Sequence, residues 1–289
     1  MARFSDYLSL IKFSHTIFAL PFALLGFFLA TLDDGQLSPL KLLLVLACMV
    51  FARSSAMAFN RYLDRDIDKL NPRTASREIP AGQISPRSAF LFVAVNASLF
   101  MLCAAFLNPL CLMLSPLALA IILGYSYTKR FTYLCHFVLG LGLALAPIGA
   151  YLAVTASWAS LPILYGLVVL FWVAGFDIVY ALQDEEFDRQ QQLNSVPTAL
   201  GRGGALQLGR LLHLLCAMVL IVTLVLQYQS YQSVGILSAS AGLLFVGLLI
   251  YQHRLVRPDD LSRVNLAFFT TNGLASLLFC SLVIIDFYW

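Results

Sequence analysis

Two stretches of this chain concentrate acidic side chains at helical spacing inside otherwise apolar sequence. The first is Asn60-Arg61-Tyr62-Leu63-Asp64-Arg65-Asp66-Ile67-Asp68, where Asn60, Asp64 and Asp68 recur at every fourth residue. The second runs from Asp177 through Tyr180 and Asp184 to Asp188, at steps of three, four and four. On a continuous helix each set lies along one face. Charge beside apolar sequence is costly unless it is paired. Only 11% of the 289 residues are charged, so both clusters need a chemical reason. Hard oxygen donors without His or Cys suit Mg2+ or a similar ion, which is usually held by one or two carboxylates together with substrate phosphates. Arg53, Arg61, Lys129 and Arg130 supply cations for phosphate oxygens. The expected guest is a metal-bridged diphosphate.

The elements that must position these residues are membrane helices. The chain is 60% hydrophobic, with a mean hydropathy of +0.84, beyond what soluble globular proteins reach. Polar interruptions divide it into nine candidate spans, at roughly 14–32, 40–60, 89–107, 110–127, 134–155, 160–182, 204–227, 233–251 and 264–287. Runs this long without strand-like alternation exclude a β-barrel. The expected fold is all-α: one domain over 1–289, an integral membrane bundle of nine transmembrane helices. A diphosphate bound inside such a bundle is expected to carry a lipid tail.

Basic residues orient the bundle. With a cytoplasmic N-terminus, all of the 18 Lys and Arg except Lys41 fall on the cytoplasmic side. The net charge of +3 therefore reports membrane orientation and gives no sign of a nucleic-acid partner. Of the 15 Asp and Glu, only Asp33, Asp34 and Asp286 lie outside, although acidic residues hardly affect orientation. The cytoplasmic face thus needs carboxylates as well as cations, and a polar pocket is expected to open there. The six cysteines lie in or beside spans with no CxxC pair, as small buried hydrophobes do.

Local signals refine this plan. Arg3 and Lys12 precede span 1 with no cleavage pattern, so that span is read as retained; His15 at its start reads as interfacial and Pro21 as a tolerated kink. Asp33 to Pro39, through Gly35, reads as an outer turn with Ser38 capping span 2, and Ser85 with Pro86 as the start of span 3. Lys69 to Ser85 reads as an ordered polar loop, and Asn108-Pro109 as a tight hairpin. Tyr125-Ser126-Tyr127-Thr128-Lys129-Arg130 is either an interfacial anchor or part of a ligand site. Gly and Ala along span 5 allow close helix approach. Asn194 to Gly204 reads as a flexible loop, with a phosphate nest as the lesser alternative. Asp64 and Asp184 are 120 residues apart and Tyr125 and Tyr251 are 126 apart, which suggests a weak four-helix pseudo-repeat. Spans 2 and 6 would then be equivalent, with their acidic faces opposed.

These motifs together resemble the UbiA superfamily of intramembrane prenyltransferases. The resemblance rests on both acidic motifs, on Asn71-Pro72-Arg73-Thr74 and Arg77-Glu78-Ile79-Pro80-Ala81-Gly82, on Lys12-Phe13-Ser14-His15-Thr16-Ile17-Phe18-Ala19-Leu20-Pro21, and on Tyr127-Thr128-Lys129-Arg130. Within the superfamily the chain is most similar to the 4-hydroxybenzoate polyprenyltransferase branch, including relatives on the futalosine route to menaquinone. The resemblance implies a polar pocket with a lateral opening for the isoprenoid, in a multi-pass protein of the bacterial inner membrane. It implies that Asn60, Asp64, Asp68, Asp184 and Asp188 hold Mg2+-diphosphate, with Lys129 and Arg130 assisting the leaving group. The implied reaction ionises a polyprenyl diphosphate and attaches the allylic cation to a small aromatic acceptor, in ubiquinone or menaquinone synthesis. Asp177 and Tyr180 would orient the ring or stabilise the cation, or form a buried structural pair. Arg53 would bind the acceptor's carboxylate or the diphosphate. Arg61 stands where many relatives have Asp, which leaves no ligand role assigned to it. Rival readings are another UbiA branch with a different acceptor, an ion-coupled secondary transporter and a lipid-binding scaffold without turnover.

Overall fold

The computed structural model describes residues 4–11, 18–34, 36–231 and 235–289. The expectations placed on Arg3, Lys12, His15, Gly35 and the start of span 8 lie outside those residues. Among the described residues there is no β-strand, only an isolated bridge between Arg257 and Asp260. The helices are α1 (Phe4–Leu10), α2 (Leu20–Asp34), α3 (Pro39–Leu70), α4 (Pro86–Leu107), α5 (Pro109–Thr128), α6 (Cys135–Thr155), α7 (Ser160–Ala181), α8 (Glu185–Gln190), α9 (Val196–Ser230), α10 (Ile236–Leu255) and α11 (Asn272–Asp286). Eight of the described helical segments are long and apolar enough to cross a membrane. The fifteen-residue α2 packs among them, in keeping with a bundle of about nine spans.

The core sits where α2, α6, α7, α9, α10 and α11 meet. Phe22, Trp172, Phe245 and Phe279 are fully buried there, and the Trp172 ring contacts Phe22, Phe176 and Phe245. Its indole Nε1 donates to Asn272 Oδ1 at 3.0 Å, satisfying a polar atom that the core would otherwise strand. Close crossing of α2 and α6 depends on Gly26: a Cβ there would stand 2.2 Å from the Pro147 carbonyl oxygen. On the opposite flank α4 and α5 turn Phe90, Phe106, Met113 and Leu117 outward. Exposed apolar side chains on helices of spanning length are the surface that hydrocarbon, not water, stabilises. This is a multi-pass integral membrane protein.

Capping follows the sequence where cap residues stand. Ser38 Oγ accepts from Lys41 N, Ser85 Oγ from Ser88 N, and Asn108 Oδ1 from Cys111 N. Three elements depart from expectation. The second acidic cluster is not on one uninterrupted helix, because a 3-10 turn at Leu182–Asp184 separates α7 from α8. Asn194 to Gly204 is not a flexible loop: a capping box between Ser195 and Thr198, with Pro197 in the first turn, starts α9 at Val196. Gly201, at φ +67°, then kinks that helix, using backbone freedom that glycine has. The last span begins with a π-helical turn at Leu266–Thr271, which its apolar periodicity does not announce.

Candidate active site

The expected continuation of span 2 is present. α3 remains helical for 32 residues and carries Asn60, Asp64 and Asp68 to its end. Asn60 Nδ2 donates to Asp64 Oδ2 at 3.1 Å, the bond that a four-residue spacing permits. Asp64, Asp68, Asp184 and Asp188 then each have their own cation. Arg130 Nη2 lies 2.9 Å from Asp64 Oδ1, and Arg77 Nη1 lies 2.7 and 2.8 Å from the two oxygens of Asp68. Arg73 pairs in a fork with Asp184, Nε to Oδ1 at 3.0 Å and Nη2 to Oδ2 at 2.5 Å, and Asn71 Nδ2 adds a third bond at 3.2 Å. Lys129 Nζ is 2.7 Å from Asp188 Oδ1.

These pairs knit the two acidic clusters into one site. Lys129 and Arg130 are neighbours in the corner after α5, yet one reaches Asp188 and the other Asp64. The polar loop after α3 crosses to the second cluster through Asn71 and Arg73. Burial alone would lower the Arg73 guanidinium, but the Asp184 carboxylate more than offsets this and holds it above its ordinary value. Arg61 is 3% exposed and pairs with Glu78 at 3.7 Å. Ser9 of α1 donates to the other oxygen of Glu78 at 2.5 Å. Arg61 thus ties α1 and the polar loop to α3. The roles of Arg73, Arg77 and Glu78 were not separable in the sequence, since their partners lie up to 111 residues away.

Two turns before Asn60, Arg53 enters a different setting. It lines an apolar chamber of about 290 Å3 enclosed by α3, α4, α5 and α6, among Met49, Phe100, Ile121 and Leu143. Arg53 is the one charged residue on that wall among the described residues, and its Nε has no hydrogen-bond partner. Tyr125 closes the same end, within the fields of Arg53, Asp64 and Asp177. At the other end the wall includes Trp158 and Leu117, both more than half exposed, so the chamber opens laterally between helices.

Asp177 and Tyr180, which share a face on α7, go to different neighbours. Asp177 Oδ2 is 2.7 Å from His136 Nδ1. The Tyr180 ring stacks on Phe268 with centroids 4.0 Å apart, and the Arg73 guanidinium lies 6.0 Å from its centroid. His136 was not singled out by sequence, because a histidine at the first turn of an apolar helix carries no periodic signal.

Among the described residues no three acidic, His or Cys side chains converge closely enough to hold a metal by themselves. The donors nonetheless fit a hard divalent cation shared with a ligand's oxygens. All are carboxylate or amide oxygens, and Asp188, 1% exposed, has Lys129 Nζ beside one oxygen while both oxygens are shut off from solvent. Such an arrangement suits an anionic guest: cations leave the carboxylates for the guest, and the carboxylates become free for a metal.

The sequence pattern of the UbiA prenyltransferase family matches residues 19–275. A 4-hydroxybenzoate octaprenyltransferase of Nitrosomonas europaea is 31% identical over 98% of this chain and 95% of its own length. One of Aliivibrio fischeri is 30% identical over 81% of this chain and 79% of its own. Among solved structures, a UbiA homologue from Aeropyrum pernix K1 superposes with a TM-score of 0.83 at 34% identity, covering 94% of this chain and 98% of that one. A UbiA homologue from Archaeoglobus fulgidus, solved with DMAPP and Mg2+, has a TM-score of 0.75 at 21% identity over 98% of this chain and 99% of its own, and shares the fold.

Proposed function

This chain belongs to the UbiA prenyltransferase family, and we propose that it moves a polyprenyl group from an allylic polyprenyl diphosphate to a small aromatic acceptor of the 4-hydroxybenzoate type. The observation that carries the reading is the junction of two unlike compartments. Four cation-paired aspartates meet at one end of an apolar chamber whose wall, among the described residues, carries one charged side chain, Arg53, with no partner for its Nε. The paired end suits a diphosphate, the chamber suits an isoprenoid, and Arg53 suits a carboxylate on the acceptor. The relatives in Nitrosomonas and Aliivibrio support that acceptor class.

Asn60, Asp64, Asp68, Asp184 and Asp188 would hold Mg2+ between them and the diphosphate. When bound, the ion supplies positive charge against the charge that develops on the departing pyrophosphate. The protein's own groups do the rest. Lys129, Arg130, Arg73 and Arg77 turn from aspartate to phosphate oxygens, a charge-assisted exchange that costs little because each cation keeps an anionic partner. The chamber excludes water from the allylic cation. Arg53 holds the acceptor with its ring toward the diphosphate end, where Asp177 and Tyr180 orient the ring or stabilise the cation. A long tail leaves through the lateral opening into lipid.

The charge bias supports a cytoplasmic acidic end, and the bacterial relatives support an inner-membrane setting with a quinone precursor as product. An ion-coupled transporter is disfavoured because the carboxylates gather at one end of the bundle rather than at mid-depth. Purified protein given Mg2+, a prenyl diphosphate and a panel of aromatic acids is expected to release pyrophosphate and yield a prenylated ring, identified by mass. Flux across vesicles without product, or binding without turnover, would refute the proposal.

A further inference from the structure

The addition step leaves a problem for the site to solve. When the ring attacks the allylic carbon, a ring electron pair forms the new carbon–carbon bond and the diphosphate oxygen keeps the pair of the broken bond. The attacked ring carbon then carries both the new group and its hydrogen. Aromaticity returns only when that carbon–hydrogen pair falls back into the ring and the proton goes to a base. Asp64, Asp68, Asp184 and Asp188 each face an arginine or lysine, and as metal-site residues they are committed to the diphosphate.

Asp177 differs from them in place and partner. It lies seven residues before Asp184 on α7, about 10 Å deeper at the rise of a helix, and its charge acts on Tyr125 at the end of the chamber. Its partner is an imidazole. The His136 ring is 3% exposed, and the backbone N–H of Val196, the first residue of α9, donates to its Nε2 at 3.3 Å. That bond assigns the ring's hydrogen to Nδ1, which donates to Asp177 Oδ2 at 2.7 Å. A neutral donor orients a carboxylate without cancelling its charge, as a guanidinium or ammonium would. The other oxygen, Oδ1, accepts no hydrogen bond among the described residues, and the Asp177 side chain is 22% exposed.

We propose that Asp177 Oδ1 is the base that takes the ring proton after prenyl addition, and that His136 is the positioning residue that holds Asp177 for it. The inference rests on the prenyl-transfer reading above. His136 belongs to the first turn of α6, Asp177 to α7 and Val196 to α9, so three helices fix the direction of one carboxylate oxygen. The proton passes from Asp177 to water once the product has left.

Ring deuteration separates this role from a structural one. Turnover of 4-hydroxybenzoate and its 3,5-dideuterated form is compared on one preparation of each enzyme, so the isotope ratio does not depend on how much protein folds. Wild type is expected to show a ratio near unity, because a positioned base makes proton loss fast. Asp177→Asn should lose about a hundredfold in kcat with little change in KM for the diphosphate, and its isotope ratio should rise clearly above the wild type's. His136→Leu should lose about tenfold and show a raised ratio as well. His136→Asn, whose amide N–H stands near the position of Nδ1–H, should restore both rate and ratio. Slow Asp177→Asn and His136→Leu enzymes with the wild-type ratio would overturn the assignment. Absence of prenylated product from wild type would overturn the prenyl-transfer reading, and this inference with it.

Discussion

Asp188→Asn probes the site from two directions at once. Asp188 is 1% exposed and has Lys129 Nζ 2.7 Å from one oxygen, with Ser195 beside the carboxylate. Taking a carboxylate out of water costs several kcal/mol even after relaxation. One cation at contact distance returns about 4 kcal/mol at an effective dielectric near 20. Lys129 is about one-third exposed and keeps part of its hydration, which trims the cost on its side. The terms nearly cancel, so without ligand the variant's stability should stay within about 1 kcal/mol of wild type, on the side of a small gain. With Mg2+ and an unreactive prenyl diphosphate analogue at about 100 times their Kd, wild type should gain about 2.7 kcal/mol, while Asp188→Asn should lose most of that gain and its turnover. Thermal unfolding in detergent, with and without the pair of ligands, reads both quantities. If the variant keeps the ligand-dependent shift and the rate, Asp188 is not part of the metal site. If it loses about 3 kcal/mol or more without ligand, the Lys129 pair is structural instead.

Three further outcomes follow from the same geometry. Arg53→Leu removes a guanidinium whose Nε has no partner in an apolar chamber; stability should hold or rise, and KM for the acceptor should rise at least about tenfold with KM for the diphosphate little changed, as steady-state kinetics would show. Gly26→Ala places a methyl 2.2 Å from the Pro147 carbonyl oxygen, a backbone atom that cannot swing aside; thermal unfolding should register a loss of about 1–3 kcal/mol. Arg61→Met strands the buried Glu78 carboxylate; it should destabilise by about 3 kcal/mol, and the enzyme that remains folded should keep the wild-type KM for diphosphate, because Arg61 faces the polar loop.

Much of this was legible in one dimension because it depends on local spacing or on transfer to lipid. Apolar runs of spanning length, the caps at Ser38 and Ser85, and the four-residue step from Asn60 to Asp64 are properties of residues close in sequence, and the structure repeats them. Misreadings came where a local signal met a competing one. Three glycines after Asn194 suggested a loop, but Ser195, Pro197 and Thr198 start a helix, and only Gly201 leaves it. The regular spacing from Asp177 to Asp188 suggested one helix, and a 3-10 turn intervenes.

Hydropathy and helical period are additive over neighbours, so the linear chain already specifies a bundle of membrane helices with two acidic motifs at the same end. Tertiary structure alone decided the pairing. Arg73 goes to Asp184, Arg130 to Asp64 and Lys129 to Asp188, and His136 gives Asp177 a neutral partner. Coulomb attraction acts between any of these cations and any of these carboxylates. Only the packed helices fix which of them come within hydrogen-bond distance.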